Sequence, residues 1–309
     1  MERKEIQLGG RAESHHLTFE EAIKDGITAA LANISQRFEH AENPLDNLAF
    51  HNTQHTKSVI ERTKKILEAM GVNKGLVMLG EFIAAHHDTV QDYSVSEKDG
   101  KKMRARFIEK NEEASIEEAV VYMRANPSVF DEEDIEIVRE AIQATIPRYD
   151  VEKKTIKQPH LLESVEAAMM RQRLMTDKSE LVTRAIALAD LGTAGMDDSE
   201  SFVHDGNAIF QEENIDITEA LQHPKSLSNA QKESFQKRML DWTANQIFFA
   251  KGREALFDKE LEGLPEKMER NVRALFTEFG SNIQRAQAKA DIRKTMSFED
   301  LVRDFGYKT

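Results

Sequence analysis

Apolar residues recur at intervals of three and four through most of the chain, the period of an α-helix with one buried face. In the first such stretch Ile23, Ile27, Ala30, Leu31 and Ile34 share one stripe. Thr18 precedes it with Glu21 three places on, the spacing of a capping box, so a helix should begin here and end near His40, ahead of ENPLDN. A second helix is predicted from about Phe50 to Gly71, a left-handed terminator, with Val59, Ile60, Ile66 and Leu67 facing the core. The segment GLVMLGEFIAAHHD is apolar almost throughout until His86, His87 and Asp88. It reads as a buried central helix with polar groups at its end, and Gly80 within it as a point of close helix packing. After a polar, basic loop, SEKDGKKMRAR, helices are expected at about 110–125, 131–146, 160–175 and 179–190, the last closing in ALAD at Asp190. Residues 199–309 hold further helices anchored by Trp242, Phe248, Phe249, Leu256 and Phe276. No stretch shows the alternation of a strand, so the expected class is all-α.

This pattern divides the chain into a flexible polar N-terminus (1–17), a main helical body (18–195) and a C-terminal helical extension (196–309) that packs on the body and can complete its pocket. The stretch LGTAGMDD at 191–198 reads equally as a domain boundary or as a long loop beside a site. Hydrophobic residues at 40% and charged residues at 31% permit a sizeable core and exclude wholesale disorder. A net charge of −13 repels polyanions, which argues against general nucleic-acid or anionic-membrane binding. A small phosphate ester is still allowed where a metal or local cations offset the field.

The absence of cysteine excludes disulfides, thiolate-held zinc and a cysteine nucleophile, so any metal must be held by nitrogen and oxygen. No run is long enough to span a bilayer, and the start MERKEIQLGGRAESHH lacks the apolar core of a secretory signal, which makes the expected location cytoplasmic. His15 and His16 have no neighbouring ligands and read as solvated.

Three elements carry chemistry. His51 and His55 stand four apart on the predicted second helix and so share a face. His87 and Asp88 close the apolar helix, where a buried carboxylate needs a cation or several hydrogen bonds, and Asp190 closes another. Singly each is an ordinary feature of helices. Together they supply two imidazoles and two carboxylates, a donor set suited to Zn, Mn, Fe, Ni or Mg with positions left for water.

At these residues the chain resembles the HD superfamily of metal-dependent phosphohydrolases, whose signature is a histidine, a later His-Asp pair and a distant aspartate. The likeness is to the branch that includes cyclic-nucleotide phosphodiesterases, because HNTQHTKSV resembles their His-Asn-x-x-His helix and AHHD supplies the pair; it covers about residues 45–195. The resemblance implies an HD/PDEase-like helical bundle that holds one or two divalent ions through His55, His87, Asp88 and Asp190. It further implies His51 and Asp88 as the catalytic pair, His51 protonating the leaving oxygen. NEEAS at 111–115 is similar to a family element in which Glu113 would hydrogen-bond a bound water, although acidic residues at a helix start have the same appearance. Gln246 and Phe249 in NQIFF look like the Gln-x-x-Phe that holds a purine ring, and also like a core helix with one solvent-facing glutamine.

The departures concern a second ion. Gln91 stands where those phosphodiesterases have another histidine, and Ala119 and Val120 where they have a His-His. HDTVQD also resembles the His-Asp-x-x-Glu-Asp of guanosine tetraphosphate hydrolases, again with Gln91 in place of the acid, so Gln91 is expected beside the ligands as a hydrogen-bonding group. The implied activity is hydrolysis of a small phosphate ester, a phosphodiester or nucleotide-like monoester, by metal-activated water. The alternatives are a guanosine tetraphosphate-type pyrophosphohydrolase and a non-catalytic nucleotide- or metal-binding HD signalling module. Homo-oligomerisation is left open.

Overall fold

Local signals set the helix ends, and the helix ends position the polar residues. In the computed structural model, which describes residues 17–98, 100–150, 155–157 and 178–307, helix α1 spans Phe19–Phe38. Its capping box is formed as the sequence predicts, Thr18 Oγ1 accepting from the Glu21 N–H at 3.3 Å while Glu21 accepts from the Thr18 N–H at 2.8 Å. Helix α2, Thr53–Met70, is stopped by Gly71 at φ +74°, a left-handed conformation that suits glycine. Its start differs from expectation. Asn52 is the N-cap, its side chain accepting from the N–H groups of Gln54 and His55, so His51 lies before the helix and only His55 is on it.

Helix α3, Lys74–His86, is the buried central helix, with Leu79, Phe82, Ile83, Ala84 and Ala85 essentially inaccessible. It packs against α2 at Gly80, where a Cβ would stand 2.3 Å from Leu67 Cδ1. Helices α4 (Lys110–Arg124), α5 (Glu132–Gln143) and α6 (Lys178–Asp190) complete the packing around it. The helix expected at 160–175 and the N-terminal segment up to residue 16 lie outside the described residues.

The segment read as a basic loop is a β-hairpin. Strand β1 (Tyr93–Lys98) pairs antiparallel with β2 (Lys101–Arg106) in a register that sets Lys98 opposite Lys101 and Tyr93 opposite Arg106. The overlooked signal is the dipeptide Asp99-Gly100, the preferred composition of a two-residue hairpin turn, and Gly100 has the positive φ of +70° that such a turn demands. A shorter pair, β3 (Arg148–Asp150) and β4 (Thr155–Lys157), follows α5. The fold remains mostly helical.

Beyond α6 come α7 (Thr193–Met196), α8 (Ser199–Glu213), α9 (Ile215–Ala220), the long α10 (Asn229–Leu261), α11 (Glu266–Arg273), α12 (Phe279–Arg293) and α13 (Phe298–Asp304). The main core takes residues from both sides of position 195: Val59, Phe82 and Ile186 belong to the same apolar cluster as Phe257, Phe276 and Phe279. A second cluster joins Phe210 of α8, Met239 of α10 and Phe305 after α13. Of the expected anchors, Leu256 and Phe276 are buried and Trp242 packs on the second cluster, whereas Phe248 is 44% exposed. Phe248 lies on the outer face of α10, because the helical period allows only one side of NQIFF to face inward. Among the described residues no helix is long and apolar enough to cross a membrane.

Candidate metal centre

Three helices bring His55, His87, Asp88 and Asp190 together, one donor atom from each lying within 4.8 Å of the others. His55 comes from the first turn of α2, His87 and Asp88 from the end of α3, and Asp190 from the end of α6. His55 Nε2 stands 3.4 Å from Asp88 Oδ2 and 3.5 Å from Asp190 Oδ1; His87 Nε2 stands 2.9 Å and 3.6 Å from the same two oxygens. Donors about 2.1 Å from one ion are about 3.0 Å apart along an octahedral edge and about 3.4 Å along a tetrahedral one. The four spacings, 2.9 to 3.6 Å, lie within about 0.2 Å of that range. The contacts are not aligned as hydrogen bonds, since neither nitrogen of His55 nor His87 Nε2 has a hydrogen-bond partner although all three atoms are buried. Buried imidazole nitrogens without a hydrogen-bond partner, close to two carboxylates, suit a cation, and this group could hold one.

His87, Asp88 and the helix end that carries Asp190 are held from behind. His87 Nδ1 donates to the Ala84 carbonyl at 2.8 Å, which turns Nε2 toward the cluster. Arg62 donates from Nη1 to the Ala189 carbonyl at 2.9 Å and grips Asp197 with Nε and Nη2, fixing the end of α6 beside Asp190. Gln91 Nε2 donates to Asp88 Oδ1 at 2.7 Å. Burial alone would lower the imidazoles and raise the carboxylates. Mutual attraction outweighs it, holding His55 and His87 above their ordinary pKa and Asp88 and Asp190 below theirs. Loading an ion would therefore displace protons from the imidazoles. His86 is different: burial pushes it down to about 4, its Nδ1 donates to the Phe82 carbonyl, and its ring packs on Phe82, so it is a neutral core residue.

His51 is joined to residues that the sequence reading missed. Its Nδ1 lies 2.5 Å from Glu212 Oε1, and Glu212 Oε2 accepts from the backbone N–H of both Phe50 and His51 at 3.0 Å. Burial would raise Glu212, but His51 and Arg106 hold it down to about 2. An ionised carboxylate only accepts, so Nδ1 carries the proton. On the other side Arg106 Nη1 stands 2.9 Å from His51 Nε2, and a guanidinium only donates, so Nε2 is the acceptor. His51 thus lies between a carboxylate at Nδ1 and a guanidinium at Nε2. Arg106 reaches this place because alternate residues of β2 share a face with Arg104, which stacks on Tyr93 at 3.8 Å and donates to the Glu212 carbonyl.

Glu113 is exposed and does not take the expected role. Its neighbour Glu112 is the buried carboxylate, raised by burial and by the Asp88 charge, because one step along a helix turns a side chain by about 100°. In the same motif Asn111 brackets the backbone of Asp92 with two hydrogen bonds, and Ser115 Oγ accepts from the Val90 N–H, so the motif anchors the segment after the His-Asp pair. Gln246 packs on Gly206, where a Cβ would meet it at 2.8 Å, and Phe249 is partly buried, parallel to Phe202 and packed against the main core. A cavity of about 410 Å³ lined by Ala49, His204, Gln211, Lys289 and Phe305 approaches the segment carrying His51 but includes none of the four donors. No family model, no curated protein and no solved structure matches the chain.

Proposed function

We propose that this protein is an HD-type metal-dependent phosphohydrolase, an HD/PDEase-like bundle acting on a small phosphate ester. The observation that carries the reading is the convergence of His55, His87, Asp88 and Asp190, with both nitrogens of His55 and Nε2 of His87 without a hydrogen-bond partner. A divalent ion at such a site supplies polarisation of water and neutralisation of phosphoryl charge. The chain's own groups do the rest. Asp88 and Asp190 stay ionised and supply the negative charge that retains the cation. His51 handles the proton at Nε2, because Glu212 fixes Nδ1–H and with it the ring orientation. That carboxylate-oriented histidine favours an enzyme over a binding module, which has no use for a positioned proton carrier.

The test is turnover of phosphate mono- and diesters, nucleotides included, with Mn, Mg, Ni, Zn or Fe and with chelator. Asp88→Ala and Asp190→Ala should lose ion and turnover together. Turnover that survives chelation, or full metal content in Asp88→Ala, refutes the reading.

A further inference from the structure

Asp88 presents its two oxygens to different neighbours. Oδ2 faces the imidazoles of His55 and His87, at 3.4 Å and 2.9 Å. Oδ1 accepts from Gln91 Nε2 at 2.7 Å and has Arg106 Nη2 3.9 Å away. A carboxylate that bridges two ions needs both oxygens free of such neighbours, and here one is taken. Ala119 and Val120 lie fully buried in the apolar core and offer no donor to another ion.

Arg106 brings positive charge to that side of Asp88. It stands between Asp88 Oδ1 and His51 Nε2, under the charges of Glu212 and Glu213. Its side chain keeps 22% of its accessibility, and its Nε has no hydrogen-bond partner. A guanidinium has five donors in a planar fork that matches two phosphoryl oxygens, and the protein does not use them all. Arg104, two residues earlier, is more deeply buried, stacks on Tyr93 and donates to the backbone carbonyls of Leu45 and Glu212.

We propose that the centre holds one divalent ion and that Arg106, standing in for a second cation, binds the phosphoryl oxygens of the substrate. The inference rests on the metal-centre reading above. It implies a substrate whose phosphoryl group has two unesterified oxygens, one for the ion and one for the guanidinium.

The full chain should be loaded with Mn²⁺, its metal content counted, and inorganic phosphate titrated into the loaded protein. Wild type should hold one Mn²⁺ per chain. Arg106→Ala should hold the same single ion but bind phosphate roughly 10- to 100-fold more weakly, the usual loss of a charged hydrogen-bond donor. Arg106→Lys should recover only part, since an ammonium restores charge without the fork. Should Arg106→Ala fail to fold by circular dichroism, Arg106→Gln and Arg106→Lys carry the same comparison. Two ions per wild-type chain overturn the proposal, and so does phosphate affinity unchanged in the variants. A chain that takes up no Mn²⁺, Zn²⁺ or Ni²⁺ overturns the metal centre itself and this inference with it.

Discussion

Two adjacent glutamates on α8 should respond with opposite sign to the same neutralising substitution. Glu212 is held down to about 2 from an ordinary 4.5, against the pull of burial, by His51 and Arg106. Glu213 is pushed up to about 7 by burial and by the charge of Glu212, with Arg106 opposing weakly. Each tenfold change in proton affinity is worth about 1.4 kcal/mol, so each displacement amounts to roughly 3 kcal/mol at full effect. For Glu213 the folded chain binds more protons than the unfolded one between pH 4.5 and about 7, so its burden on stability grows as pH rises through that window. For Glu212 the stabilisation is present above pH 4.5 and is lost only as pH falls through about 2. Glu213→Gln should therefore stabilise the protein by up to about 3 kcal/mol at pH 8 and by almost nothing at pH 4.5. Glu212→Gln should destabilise it by roughly 3 kcal/mol at both pH values. Urea unfolding of the wild type and both variants at pH 4.5, 6, 7 and 8 measures all of this, and the difference between variant and wild type removes the titrations they share. A Glu213→Gln effect that does not change with pH, or the same sign for both variants at pH 8, refutes the electrostatic account of this end of α8.

Gly80→Ala should cost about 1 to 3 kcal/mol in the same unfolding assay, because the new methyl meets Leu67 Cδ1 and that side chain is fully buried. Arg62→Met should leave the four donors in place yet weaken Mn²⁺ binding by roughly 10- to 100-fold, since it frees the Ala189 carbonyl and Asp197; calorimetric titration reads it, and unchanged affinity counts against the positioning role. Phe249→Ala should lower the melting temperature and reduce the turnover of nucleotides and non-aromatic esters in parallel, at a cost of about 2 to 4 kcal/mol, because the ring packs against the core beside Phe202. A selective rise in KM for nucleotides would restore Phe249 to the pocket.

The sequence by itself determined the features that depend on near neighbours. The Thr18–Glu21 box, the Gly71 terminator, the central helix and the placing of His87, Asp88 and Asp190 at helix ends all follow from spacings of a few residues, where period and capping chemistry act. Naming the four as one ligand set rested on the resemblance to the HD signature, which spacing alone does not supply. Two local features carried further information: Asn52, the cap that leaves His51 outside α2, and the Asp-Gly dipeptide at 99–100, a hairpin composition hidden in a run of charged residues. Only the tertiary structure decided which of Glu112 and Glu113 faces inward, because the packing of α4 sets its rotation. It alone showed the packing of Gln246 on Gly206 and of Phe249 against the core, contacts that the helical period leaves undetermined. It alone joined His51 to Glu212, 161 positions away, and to Arg106, 55 away. Such partners are chosen by how whole elements dock, through burial shared among many side chains, and no local spacing encodes that choice.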